Sequence, residues 1–484
     1  MEQKDVKTKA VKGFAWQLLQ NGAGYITKFA VSVVIARHIT PDEYGVVGMV
    51  NTFINIAMVF VINGFSTAVI QKDKIEEKDL STLFYSSVVL GLILYGILFA
   101  AAPAIARFYN IPILSILTRV NALIIVIGML YNVQTALVMR NMQFDISFRT
   151  NLIGAIVQGI VGIAMAYRGY GVWALVISSI VNYLTCAVLM WIWVSWKPKL
   201  LFSFEALKEN LPFSLKVLGT NLSDAVFNNF MSLIIGKVYS SEALAYYNKG
   251  YQFPTLVMSM VDGASNNVMF SALSKFQDDW DRGVNALRTE IQMVMFVTAP
   301  MMFGLFGAAD TFVRLLLTDK WAGAIPYVRL GCMICIFWPF SVKIHALNSI
   351  GKSGISFIVK IVNNTITLVL VLLTYHISVY AMVFSNIIAN LINNTIMTFV
   401  TRKHLNYGIL DQIKDALSSI SCAALMGISV QCIGSVLPLP LVIRFLIQVV
   451  AGIAIYVLLT WLFNRKTLQT TLQYLKVFTS HNAN

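Results

Sequence analysis

The chain has 484 residues, 57% of them hydrophobic and 12% charged, with a mean hydropathy of +0.72 and a formal charge of +14. Soluble globular domains carry about a quarter of their residues as charges, so this composition excludes a water-soluble enzyme or binding module and marks an integral membrane protein. A basic excess alone would fit nucleic acid, but its placement along the chain argues against that partner.

A helix needs about 20 apolar residues to cross the ~30 Å hydrocarbon core, and the apolar runs here lack the period-two alternation of barrel strands. The expected fold is all-α and polytopic. In chain order the predicted spans are 14–36, 45–70, 82–106, 113–138, 150–167, 172–195, 211–236, 252–272, 291–317, 326–350, 355–375, 378–400, 413–433 and 441–463, fourteen in all. The basic segment MEQKDVKTKAVK precedes the first of them, and no small-residue cleavage site follows that run, which predicts an uncleaved first span. An even number of spans puts both termini on one side. If that side is the cytosol, most of the 36 basic residues fall there, Lys4, Lys72, Arg140, Lys197, Lys352 and Arg402 among them, while the opposite loops hold few. The bias follows the positive-inside rule and makes the charge largely a topology signal. Anionic lipid headgroups are its natural partners.

The chain is internally doubled. Ile35-Ala36-Arg37, Thr40, Asp42, Tyr44 and Gly45 are echoed by Ile235-Gly236-Lys237, Ser240, Glu242, Leu244 and Ala245, and Asn21 falls on Asn221. Asn63-Gly64-Phe65-Ser66 is echoed by Asp262-Gly263-Ala264-Ser265, and Gly171-Val172-Trp173-Ala174-Leu175 by Ser378-Val379-Tyr380-Ala381-Met382. Each repeat covers six spans, an even number, so the two lie the same way up, related by an axis along the membrane normal. The predicted organisation is an N-lobe at 1–200, a C-lobe at 201–410, and spans thirteen and fourteen with a cytosolic tail at 411–484, left over as an appendage.

Polar groups at membrane depth are costly and point to function unless they reach an interface. On span one Gln17, Asn21, Gly24, Lys28 and Ser32 share a face at helical spacing. Span seven carries Lys216, Thr220, Asp224 and Asn228 at steps of four with Asn221 beside them, and span eight carries Ser259, Asp262 and Asn266. Span two adds Asn51, Asn55 and Asn63, and Lys343 on span ten is placed to line a cytosolic mouth. Amides both donate and accept, which matches sugar hydroxyls. Desolvated lysines such as Lys28 and Lys216 call for an anion, a phosphate or a uronic acid. Asp224 and Asp262 are candidates for carrying a coupling ion or proton. The competing account is that the asparagines hold helices together and that Lys216 pairs with Asp224. Arg119 on span four is left undecided between burial and snorkelling.

No catalytic or metal constellation is present. There is no HExxH, Gly-rich dinucleotide loop or Ser-His-Asp arrangement, and Ile350-Gly351-Lys352-Ser353 has Ala346 where a phosphate loop needs its first glycine. Cys332 and Cys335 form a CxxC with neither a second pair nor a nearby histidine. The chain is read as a non-enzyme without cofactor or metal.

Gly13-Phe14-x-Trp16, the turn Ala36-Arg37-x-x-x-Pro41-x-x-Tyr44-Gly45, Arg140 with Phe144, Gly169-x-Gly171-Val172-Trp173-Ala174-Leu175, and Ile235-Gly236-Lys237 followed by Tyr246-Tyr247 resemble the polysaccharide flippases of the multidrug/oligosaccharidyl-lipid/polysaccharide (MOP) exporter superfamily, in its branch of Wzx-like lipopolysaccharide, colanic-acid and teichuronic-acid exporters. The resemblance spans about residues 10 to 410. It implies a two-lobed, twelve-span core with an added pair and a central cavity lined by spans one, two, seven and eight. It also implies flipping of undecaprenyl-diphosphate-linked oligosaccharide across a bacterial plasma membrane, with glycan polymerases and glycosyltransferases as neighbours. Two other readings stay open: a multidrug-type antiporter of the same superfamily, which favours an aromatic, acidic cavity, and a membrane scaffold for glycan assembly without transport of its own.

Overall fold

The computed structural model describes residue 27 and residues 29–63, 66–72, 75–273, 280–349, 352–405, 407–465 and 469. Among these there is no strand. The helices are α1 (Phe29–His38), α2 (Pro41–Asn63), α3 (Ser66–Gln71), α4 (Glu77–Tyr109), α5 (Ile113–Asn121), α6 (Leu123–Met129), α7 (Asn132–Arg140), α8 (Phe144–Tyr167), α9 (Val172–Trp193), α10 (Phe204–Val238), α11 (Ser241–Leu273), α12 (Trp280–Leu317), α13 (Ile325–Cys335), α14 (Val342–Ser349), α15 (Ser353–Thr374), α16 (Val379–Leu405), α17 (Ile409–Val436) and α18 (Leu441–Phe463).

Among the described residues ten candidate spans are long and apolar enough to cross a membrane. An eleventh is reached if α5–α6 and α7, bent by 43°, count as one broken span. Three of the fourteen expected spans fall outside this set, for different reasons. Span one lies largely outside the described residues, and α1 is its visible end. Spans seven and eight form α10 and α11, which at 35 and 33 residues are long enough. Their sequences carry too many polar residues along their length to count as apolar.

The chain divides into two compact units, Met1–Ala245 and Tyr246–Asn484. In the first, α2 is the buried axis, with Val46, Val47, Met49, Val50, Ile54, Ala57, Met58 and Val61 all buried. Its start is fixed by a capping box: Thr40 Oγ1 accepts from the Glu43 amide at 3.3 Å, and Glu43 Oε2 accepts from the Thr40 amide at 3.0 Å. The Glu43 side chain also rests against Gly171, whose φ of +52° suits a residue without Cβ. By contrast α4 turns Val89, Leu92, Ile93 and Ile97 outward, the pattern of a helix facing lipid. The short α3 is held at its C-terminus by Arg140, which donates to the carbonyls of Val69, at 2.7 Å, and Lys72. Arg140, one of the residues that carry the resemblance, has a scaffold role here.

In the second unit the core is an i, i+4 stripe on α12, Leu287, Ile291, Met295 and Ala299, packed with Ala416, Cys422, Ala423, Met426 and Val430 of α17. The two helices approach closely because Gly307 lies against the Gly427 carbonyl, and a Cβ on Gly427 would stand 2.7 Å from the Phe303 carbonyl. Spans thirteen and fourteen are therefore built into this core and are not an appendage to it.

Prolines inside helices leave the carbonyl four residues earlier without its donor, and in hydrocarbon no water replaces it. Pro300 frees the Phe296 carbonyl of α12, and Tyr456 of α18 donates its hydroxyl to that oxygen at 2.9 Å. Pro103 frees the Phe99 carbonyl of α4, and Arg119 Nε of α5 reaches it at 3.4 Å, with the guanidinium 4.5 Å from the Phe99 ring centre. This gives Arg119 a structural task. Tyr456→Phe is expected to cost about 1–3 kcal/mol, the penalty of a buried acceptor left unpaired. Because Pro300→Ala restores the intrahelical bond, the same substitution in a Pro300→Ala background should cost much less. Unfolding midpoints of the four proteins of the cycle check this.

Candidate functional site

The duplicated sequence motif forms two helix starts that touch. Ser240 Oγ accepts from the Ala243 amide at 3.0 Å and opens α11 as Thr40 opens α2. Ser241 Oγ donates to Asp42 Oδ1, and Gly45 sits directly against the Ser241 carbonyl. One turn further along, a Cβ on Gly236 would meet Tyr109 at 3.1 Å and Met49 at 3.3 Å. Lys237 donates to the Phe108 carbonyl and lies 4.7 Å from the centre of that ring. The turn around Pro41 and Gly45 is thus structural, as a tight junction between α2, α10 and the start of α11.

The same contacts set α2 and α10 antiparallel, Gly45 against Ser241 and Met49 against Gly236, and this register brings Asn55 to the level of Asn228 and Asn229. Asn51 and Asn55 are exposed on α2. On α10 Thr220, Ser223 and Asn228 are exposed, Asn221 and Asp224 are half-buried, and Gly219 has open space beside it. Asn221 Nδ2 donates to the Val217 carbonyl at 3.0 Å, leaving its amide oxygen for another donor. Asn51 Oδ1 accepts from Asn121 Nδ2 of α5 at 2.9 Å. Asn121 is absent from the expected set, although an asparagine inside span four was open to the same argument as those of span two; Ser223 was likewise passed over. Amides and hydroxyls exposed along two helices of membrane length form a face that hydrocarbon does not solvate. Such a face is suited to water and to hydroxyl-rich ligands.

The other expected site residues are distributed as follows. Asn21 and Lys28 lie outside the described residues. Lys216, Asp262 and Asn266 lie on α10 and α11, with side chains outside those described. Lys343 is wholly buried, not set on an open wall. Its Nζ is enclosed by Asn394, Thr398 and Gln412 of α16 and α17.

A second polar cluster, not foreseen, fastens α17 to α12. Asp415 accepts from Arg288 at 3.0 and 3.1 Å, from Gln292 at 2.7 Å and from the Tyr407 hydroxyl at 3.0 Å. Burial first, then the Asp415 carboxylate, raises the Tyr407 phenol well above its ordinary range, so it remains a donor. Among the described residues no group of three or more His, Cys, Asp or Glu is placed to hold a metal ion.

Comparison with known proteins agrees with this architecture. Succinoglycan biosynthesis transport protein ExoT of Rhizobium meliloti is 23% identical over 354 residues, covering 73% of this chain and 72% of its own. Lipopolysaccharide biosynthesis protein WzxC of Escherichia coli is 23% identical over 342 residues, 68% of this chain and 67% of its own. Teichuronic acid biosynthesis protein TuaB of Bacillus subtilis is 24% identical over 283 residues, 58% of each chain. Among solved structures, lipid II flippase MurJ in an inward closed conformation superposes with a TM-score of 0.75 at 16% identity, covering 95% of this chain and 100% of that one. An inward-facing multidrug resistance MATE transporter of the MOP superfamily gives 0.65 at 14% identity, covering 79% and 94%. These two likenesses establish a shared fold. A family profile described as polysaccharide biosynthesis protein matches residues 34–326, and with more than half of its length matched the chain belongs to that family.

Proposed function

We propose that this protein flips undecaprenyl-diphosphate-linked oligosaccharide repeat units from the cytosolic to the outer leaflet of a bacterial plasma membrane by alternating access, for surface polysaccharide synthesis. The observation that carries the reading is the exposed face of Asn51, Asn55, Thr220, Ser223 and Asn228 on helices of membrane length. Amides and hydroxyls bind sugar hydroxyls through reciprocal donation and acceptance. Lys28 and Lys216 are assigned to the diphosphate or to acidic sugars, Asp224 and Asp262 to a coupling ion, and Asn21, Asn221 and Asn266 to the sugar path. The polyprenyl tail stays in lipid. Both termini lie in the cytosol in this reading, anionic lipids bind the basic loops, and polymerase and glycosyltransferases act before and after the flip. Membership of a polysaccharide biosynthesis family, with relatives named for succinoglycan, teichuronic acid and lipopolysaccharide synthesis, supports a glycan cargo over a drug.

The test is reconstitution in liposomes with a fluorescent lipid-linked oligosaccharide. Wild type is expected to move the label across the bilayer. Asn55→Leu with Asn228→Leu, and separately Lys28→Glu with Lys216→Glu, should insert normally and lose about tenfold or more in rate, since each polar contact removed is worth about 1 kcal/mol or more. Full activity in both double variants would refute the assignment of this face, and an inert wild type would favour a scaffold.

A further inference from the structure

The second unit encloses a lysine head group that has no acidic partner among the described residues. Lys343, on α14, is 0% exposed. Its Nζ donates to Asn394 Oδ1 at 2.6 Å, Thr398 Oγ1 at 3.0 Å and Gln412 Oε1 at 2.9 Å, and it lies 5.4 Å from the centre of the Phe340 ring. An ammonium has three donors and no acceptor, so these oxygens complete its shell. All three are neutral, and no described carboxylate forms an ion pair with it. The acceptors are themselves held in place: the Thr398 hydroxyl lies 2.6 Å from the Asn394 carbonyl and 3.0 Å from Gln412 Oε1.

Oxygens that converge on one point repel one another unless a cation or a donor sits at the focus. A plain apolar side chain of the same length would avoid the desolvation of a charge, but it would remove the donor that three buried oxygens share. The cradle therefore calls for a cation or a group of donors at its focus, and three neutral oxygens are ligands that a monovalent cation also takes. We propose that Lys343 is a built-in cation, filling a three-oxygen cradle that would otherwise take a dissociable monovalent ion and tying α14 to α16 and α17. At this place the protein carries its positive charge covalently, so the clamp is indifferent to the salt outside.

The experiment measures thermal unfolding of the purified full-length protein in sodium, potassium, ammonium and choline chloride at equal ionic strength, a readout independent of the transport reading. Wild type is expected to unfold at one temperature in all four. Lys343→Ala should fall by about 5 °C or more in choline and recover about half of the loss in ammonium or potassium. Lys343→Met, which plugs the space, should fall and recover in none. A Lys343→Ala protein that matches wild type, or one equally weakened in every salt, overturns the proposal. A second variant, Asn394→Asp, keeps the test decisive if Lys343→Ala does not fold. It sets a carboxylate against the ammonium and should raise the midpoint by about 2 °C or more, whereas a fall would mean that no positive charge resides there.

Discussion

Gly45→Ala is expected to lower the yield of folded protein severalfold and to reduce its unfolding midpoint by about 5 °C or more. The added Cβ would fall inside the Ser241 carbonyl, with that residue's carbonyl carbon and Cα also in the way. These are backbone atoms at the start of α11, and they cannot rotate aside as a flexible side chain would. Overpacking a well-filled site costs about 1–3 kcal/mol, and with no side chain to give way the upper end applies. Gly96→Ala on α4 is the control: a Cβ added there would have nothing within 4 Å. There the gain of ~0.5–1 kcal/mol from replacing a helical glycine should raise the midpoint slightly. Opposite signs for one chemical change at two helical glycines would show that the junction is responsible. A Gly45→Ala protein as stable as wild type would mean that α2 does not meet the α10–α11 turn as described.

Removing either side of the Arg288–Asp415 pair should be the most damaging change in the second unit, with the arginine variant the worse. The Asp415 side chain is 5% exposed and that of Arg288 36%. Asp415→Ala releases an arginine that still reaches water, so the loss should be about 2–3 kcal/mol, below the ~3–5 kcal/mol of a fully buried pair. Arg288→Leu instead leaves a buried carboxylate with Gln292 and Tyr407 as its donors among the described residues, and the full ~3–5 kcal/mol applies. Ranking the unfolding midpoints of the two variants checks the order. The reverse ranking would mean that the carboxylate is less buried than its partners make it.

The parts of this architecture that depend on local periodicity could be read from the sequence. Span lengths follow from apolar runs, and the polar face of α10 follows from Thr220, Asp224 and Asn228 recurring at helical steps. The doubled motif at Thr40 and Ser240 was legible as a repeat, but that its two copies touch depends on Gly45 and Ser241, nearly two hundred positions apart. Distance along the chain also hid the roles of Lys343 and Arg119. Lys343 read as a mouth residue because its acceptors lie on α16 and α17, and Arg119 stayed undecided because its acceptor is a carbonyl released by Pro103. The packing of α17 on α12 did leave a local trace. Ala423 and Gly427, four apart, form the small-residue spacing that lets membrane helices approach closely, and it was obscured by the uniform hydrophobicity around it.

The bond from Tyr456 to the Phe296 oxygen joins residues 160 positions apart, and that interval has a consequence for how the polypeptide is made. Translation delivers α12 to the bilayer well before α18 leaves the ribosome, so during synthesis the nascent chain holds a bare carbonyl in hydrocarbon, at a standing cost of several kcal/mol. Chains cut short ahead of Tyr456 never lose that burden. Quality-control proteases should clear them faster than chains truncated just beyond it.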